Sequence, residues 1–128
     1  MSQVASIAVK IASERFDRIP QMAKQHFYFK LIPPRSTFPG DITPEEGAIM
    51  QRHAAYFEQQ FRAGKLLLYG PVMAREGAFG IGILEVEDEA DARVFGENDP
   101  SVVAGLNRFE ISPMRVTNSR QQGTGNRQ

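Results

Sequence analysis

The segment from Thr43 to Gly64, TPEEGAIMQRHAAYFEQQFRAG, carries its own start and stop signals. Thr43 is placed to cap a helix, Pro44 suits its first position, and Glu45 and Glu46 suit its first turn. Thr43 and Glu46 also have the spacing of a capping box, in which each side chain satisfies the other's backbone N–H. Met50, Ala54, Phe57 and Phe61 recur at helical spacing and define an apolar stripe on a helix of about 44–63. Gly64 then supplies a left-handed stop. The apolar run KLLLYGPVM follows at once and reads as a strand ending near Gly70-Pro71. A capped amphipathic helix that runs straight into a buried strand constrains the chain to an α+β arrangement.

The flanking segments extend that pattern. HFYFKLIPP, residues 26–34, is rich in aromatic and aliphatic residues and reads as a strand stopped by Pro33-Pro34. RSTFPGD is a loop with turn chemistry. AFGIGILEVED is a third strand carrying Gly80 and Gly82, which mark a bulge or room for a ligand. EDEADARVFGEND is a second helix interrupted at Gly96, with Ala90, Val94 and Phe95 toward the sheet. DPSVVAGL is a turn and a short helical turn, and NRFEISPMRV is the last strand. The order β-α-β-β-α-β is the ferredoxin-like pattern, a four-stranded antiparallel sheet with both helices on one face. The outward residues of such a sheet here include Phe, Tyr, Leu and Ile, so a second copy stacked on the open face is expected.

The chain has 128 residues, enough for one domain with a core. We divide it into an N-terminal extension over 1–25, partly flexible, a domain over 26–116, and a disordered tail over 117–128. VASIAVKIASERF in the extension has the spacing of a short amphipathic helix, limited by Pro20. Fifteen basic residues balance fifteen acidic ones, so no global charge favours nucleic acid or an anionic membrane. Cysteine is absent, which removes disulfides, thiolate nucleophiles and cysteine-based metal sites, and fits a cytoplasmic location. No apolar run approaches the roughly 18 residues of a membrane span, and the N-terminus lacks the apolar stretch of a secretory signal.

Several segments, taken in order, resemble the YCII-related family of dimeric α+β barrel proteins over about residues 26–116. They are His53 in the first helix, AGKLLLYGP at 63–71, the glycine-bearing third strand, Asp99-Pro100 and the final FEISPM. The resemblance implies a homodimeric scaffold and an active-site pair made of His53 and Asp99, with Gly70 and Pro71 bordering the pocket. It also implies chemistry such as the elimination of HCl from a chlorinated hydroxyquinol, within a superfamily that includes lactone isomerases, monooxygenases and haem-dependent enzymes. The N-terminal arm and the long loop PPRSTFPGDITPEEG depart from the family pattern, so the substrate does not carry over.

The residue chemistry is consistent with that implication. A carboxylate that accepts a hydrogen bond from one ring nitrogen of His53 fixes its tautomer and leaves the other free to take a proton. Elimination or isomerisation of a small cyclic or aromatic compound needs such a base and no metal or cofactor. Packing beside the stripe explains His53 equally well, and helix capping explains Asp99. Arg108, followed by Arg35 and Arg75, is the candidate for a substrate anion, and Tyr56 for lining the pocket or donating a proton. GAFGIG lies inside a strand in the wrong order for a dinucleotide site. His26 and His53 lie on different elements and form no zinc motif. Two functions remain open: an enzyme with His53 as base, or a non-catalytic ligand-binding or accessory module on the same scaffold.

Overall fold

The structure, a computed structural model, describes residues 24–120. Its elements are β1 (Gln25–Ile32), α1 (Pro44–Arg62), β2 (Leu66–Ala74), β3 (Gly77–Val86), α2 (Glu89–Glu97), α3 (Pro100–Val103) and β4 (Arg108–Met114). The four strands form one antiparallel sheet in the order β2-β3-β1-β4. This is the ferredoxin-like α+β architecture, with α3 added before the last strand. The helix read over VASIAVKIASERF, most of the extension and the end of the tail lie outside the described residues. Among the described residues no helix is long and apolar enough to cross a membrane.

Local chemistry sets the ends of α1. The Glu46 N–H donates to Thr43 Oγ1 at 3.2 Å, and the Thr43 N–H donates to Glu46 Oε1 at 3.0 Å. Gly64 takes φ +84°, and Lys65 N–H closes back on the Gln60 carbonyl at 3.0 Å. The chain therefore enters β2 directly from the helix end.

The core sits between the helices and one sheet face. Phe27, Phe29 and Leu31 alternate along β1 toward the helices, and Leu84, Val86, Leu66, Phe57, Ala92 and Phe95 close around them. Phe29 is fully buried at its centre. The Phe95 ring meets it edge-on at 5.3 Å and the Phe109 ring stacks on it at 5.6 Å.

Four expectations about local packing are corrected. Gly96 does not interrupt α2, which continues to Glu97. A Cβ at Gly96 would come within 2.5 Å of the Phe109 ring, so the glycine is there for close approach. The buried face of α2 is Ala92, Phe95 and Gly96, which turns Ala90 and Val94 to solvent. Of the two readings of Gly80 and Gly82, only the bulge is overturned: the sheet irregularity falls in β2 between Leu66 and Leu68, β3 pairs without a shift, and Gly80 borders a cavity. Finally, Phe61 is 46% exposed and packs on Tyr69 instead of entering the core.

Candidate active site

A cavity of about 330 Å³ lies between α1 and the pocket end of the sheet. Small residues on β3 make the space. The register pairs Gly80 with Leu31 and Gly82 with Phe29, so Ala78, Gly80 and Gly82 share the helix-facing side. Ala78 and Gly80 line the cavity, and a Cβ at Gly80 would meet Leu31 Cβ at 3.3 Å, whereas Gly82 lies outside it and gives its room to Leu66, whose Cδ2 a Cβ there would meet at 3.0 Å. Met50, His53, Ala54 and Phe57 form the opposite wall on α1. The apolar stripe of that helix is thus partly cavity wall, which is why Met50 and Ala54 retain exposure.

His53 and Asp99 meet. His53 Nδ1 lies 3.0 Å from each oxygen of the Asp99 carboxylate. Asp99 is fully buried, and the His53 side chain is 16% exposed at the cavity. A carboxylate that is ionised can only accept, which calls for the hydrogen of His53 on Nδ1. Asp99 also caps α3, because the Ser101 N–H donates to Asp99 Oδ1 at 2.9 Å. Capping and pairing therefore coexist on one carboxylate. The ring of Phe57 lies 4.5 Å from that of His53 and backs the imidazole. His26 stands on the other sheet face, beside Glu85 at 3.1 Å, and shares nothing with His53.

The loop between β1 and α1 covers part of the cavity. Pro33, Phe38, Pro39 and Ile42 line it, and Phe38 is buried. Arg35 fastens this loop. Its guanidinium donates two hydrogen bonds to the Glu46 carboxylate, at 2.8 and 2.9 Å, and its Nε donates to Asp41 at 3.0 Å. Its plane also lies over the Phe38 ring, 5.5 Å from the centroid. Arg35 and the Thr43 N–H hold the Glu46 carboxyl down to about 2. Arg35 and then Thr37 lower that of Asp41. Arg35 is therefore committed to the loop and is not a free anion site.

The other expected site residues divide. Gly70 and Pro71 line the cavity. Tyr56 does not. It packs against Phe95, donates its hydroxyl to the Phe95 carbonyl at 2.8 Å, and has its pKa raised to about 12 by burial and then by the Asp99 charge. Arg108 is also set apart. It pairs with Ile32 and is exposed on the open face, because strand alternation sends Phe109 inward and its neighbour outward. Sequence reasoning missed Asn107, which is 3% exposed and lines the cavity. An asparagine between a short helix and a strand reads as turn chemistry, and only the tertiary structure sets it beside Met50.

A 5-chloro-2-hydroxyhydroquinone dehydrochlorinase from Burkholderia phenoliruptrix AC1100, solved with 2,5-dihydroxybenzoquinone, matches with TM-score 0.51 and 22% identity, covering 70% of this chain and 93% of that one. A cofactor-independent oxygenase from Streptomyces nogalater matches with TM-score 0.44 and 12% identity, covering 77% of this chain and 97% of that one. The first likeness shows a shared fold. The search of curated proteins returned no match. A family model described as the YCII-related domain matches residues 27–115, most of the chain and every element that builds the cavity. By that match, the chain belongs to the YCII-related family.

Proposed function

We propose that this protein is a small-molecule enzyme in which His53 acts as general base, oriented by Asp99, in the elimination or isomerisation of a small cyclic or aromatic compound. One observation carries the reading. The only histidine lining the cavity, among the described residues, has its Nδ1 held by a fully buried carboxylate. That arrangement leaves Nε2 to take a proton from a ligand O–H or C–H. In an elimination the C–H electron pair becomes the new π bond and the leaving group departs as an anion. In an isomerisation the proton returns at another carbon. The cavity is about 330 Å³, roughly twice the ~150 Å³ that accommodates benzene in an engineered site, so a substituted single ring fits. Its walls are mainly aliphatic and aromatic.

The working unit is proposed to be a homodimer. The sheet face opposite the helices presents Tyr28, Leu68, Ile81 and Ile83, with Lys30 lying over the Phe79 ring at 4.7 Å. Leu68 is 52% exposed in the single chain. A second copy stacked sheet to sheet would cover this apolar surface.

The test is a turnover screen of halogenated hydroxyquinols, followed by chloride release, and of small lactones, followed by isomerisation. The dehydrochlorinase of similar fold motivates the first set. Turnover in wild type, lost in a folded His53→Gln variant, supports the base. Ligand binding without turnover in both proteins would favour a binding module.

A further inference from the structure

We infer that Asn107 is a ligand-binding residue, whose side-chain amide hydrogen-bonds an oxygen of a neutral ring compound seated beside His53. This rests on the reading that the cavity is the substrate site. It adds a second polar contact and a restriction on ligand charge. Asn107 is 3% exposed and lines the cavity. Its Oδ1 has no hydrogen-bond partner among the described residues. Its Nδ2 donates only to Met50 Sδ, at 3.4 Å, and a thioether is a weak acceptor. Rotating the amide by half a turn exchanges the two ends and still leaves one of them unpartnered.

A buried amide in an apolar wall is normally paired, and an apolar side chain of similar size would fill the position without an orphaned atom. Oδ1 itself is closed off, so a ligand oxygen meets the amide at its Nδ2 end, where the Met50 thioether is the only partner to displace. Nδ2 donates, and either a hydroxyl or a carbonyl oxygen of the ligand can accept. The second buried orphan, Ser101 Oγ, does not line the cavity and has no such role.

Asn107 is held by the same short helix that places Asp99. Its backbone N–H donates to the Ser101 carbonyl at 3.1 Å, and the Ser101 N–H donates to Asp99 Oδ1 at 2.9 Å. The amide and the histidine's carboxylate are therefore fixed relative to each other before a ligand arrives. Among the described residues no Lys, Arg, Asp or Glu side chain lines the cavity. A carboxylated or phosphorylated ligand would lose its hydration there without a counter-charge. The ligand class is thus a neutral ring bearing at least two oxygens, one for His53 and one for Asn107.

The experiment measures dissociation constants for phenol and for the three dihydroxybenzene isomers, by calorimetry or ligand-detected NMR. Wild type and Asn107→Leu are compared, with melting curves as the check on folding. In wild type at least one isomer should bind about tenfold more tightly than phenol, the effect of one buried hydrogen bond. In Asn107→Leu that gap should close to within about twofold, at the level of a single shared hydrogen bond. Asn107→Ala serves if the leucine variant does not fold, with the same expected loss. A gap that persists in a folded variant, even one with a lowered melting temperature, would make Asn107 a structural amide and overturn the inference. So would a wild type that binds the isomers no better than phenol. Binding is read without turnover, so a closed gap in a protein that turns nothing over would keep Asn107 and discard the base.

Discussion

At the scale of single residues, the account depends on a histidine and an aspartate 46 positions apart in sequence. His53→Gln should lower turnover by about 10²–10⁴-fold, the usual range for losing a positioned base, with the fold intact by circular dichroism. Asp99→Asn should cost activity as well, while the isosteric Asn side chain can still accept from the Ser101 N–H and cap α3. The two roles separate if melting temperature falls far less than turnover. Asp99 was legible as a cap because Asp-Pro opens helices locally, whereas its contact with His53 came only from the family resemblance and the folded chain. Asn107 left no local trace beyond a turn. Gly96 was misread because a glycine in a helical segment means either a break or a close approach. Gly96→Ala should therefore destabilise by about 1–3 kcal/mol through forced contact with Phe109, measured by chemical denaturation.

At the scale of elements, the first helix and the loop before it act together. The boundaries of α1 were legible in detail, since the capping box and glycine stop are written within a few residues of each end. The loop was legible only as a loop. Its anchoring by Arg35 needs Glu46 from the helix and Asp41 from the turn, and this pairing depends on the folded path. The facing of α2 was misjudged at Ala90 and Val94 because two phases of the helix bury a comparable number of apolar residues, and the sheet selects one. The Arg35 contacts also set a pH dependence. Arg35 depresses the Glu46 carboxyl from 4.5 to about 2, so its contribution is full above pH 4.5 and is lost as pH falls toward 2. Loop amides in residues 35–42 should lose hydrogen-exchange protection over that acid range before the strands do. Arg35→Met should give the same loosening at neutral pH. Equal protection in that variant would show that Phe38 and the prolines hold the loop alone.

At the scale of the whole molecule, one sheet presents two different faces. The helix side holds the core, the cavity and the His53–Asp99 pair, and the opposite side is an apolar face that carries no helix among the described residues. Apolar alternation on both faces was readable from the strands, so the sheet and the helical layer on one of its faces were legible, and a cover for the other is the homodimer proposed above. The cavity was not, because it arises from glycine and alanine in β3 facing α1, and an absent side chain leaves no apolar period to read. Light scattering should give the mass of two chains, and Leu68→Glu combined with Ile83→Glu should shift it to that of one. A wild-type monomer at micromolar concentration would remove the stacked-sheet arrangement. Gly80→Val should narrow the cavity and weaken ring binding more than tenfold, with the hydroquinone-type probes as readout.

The central claim is that Asp99 fixes the tautomer of His53 and leaves Nε2 as the base. The most direct measurement is the nitrogen-15 spectrum of the imidazoles in wild type and in Asp99→Asn, with His26→Gln assigning the two histidines. The account predicts that neutral His53 carries its hydrogen on Nδ1 in wild type, and that this preference weakens when the carboxylate becomes an amide. A His53 that carries its hydrogen on Nε2, or that is indifferent to Asp99→Asn, would contradict it.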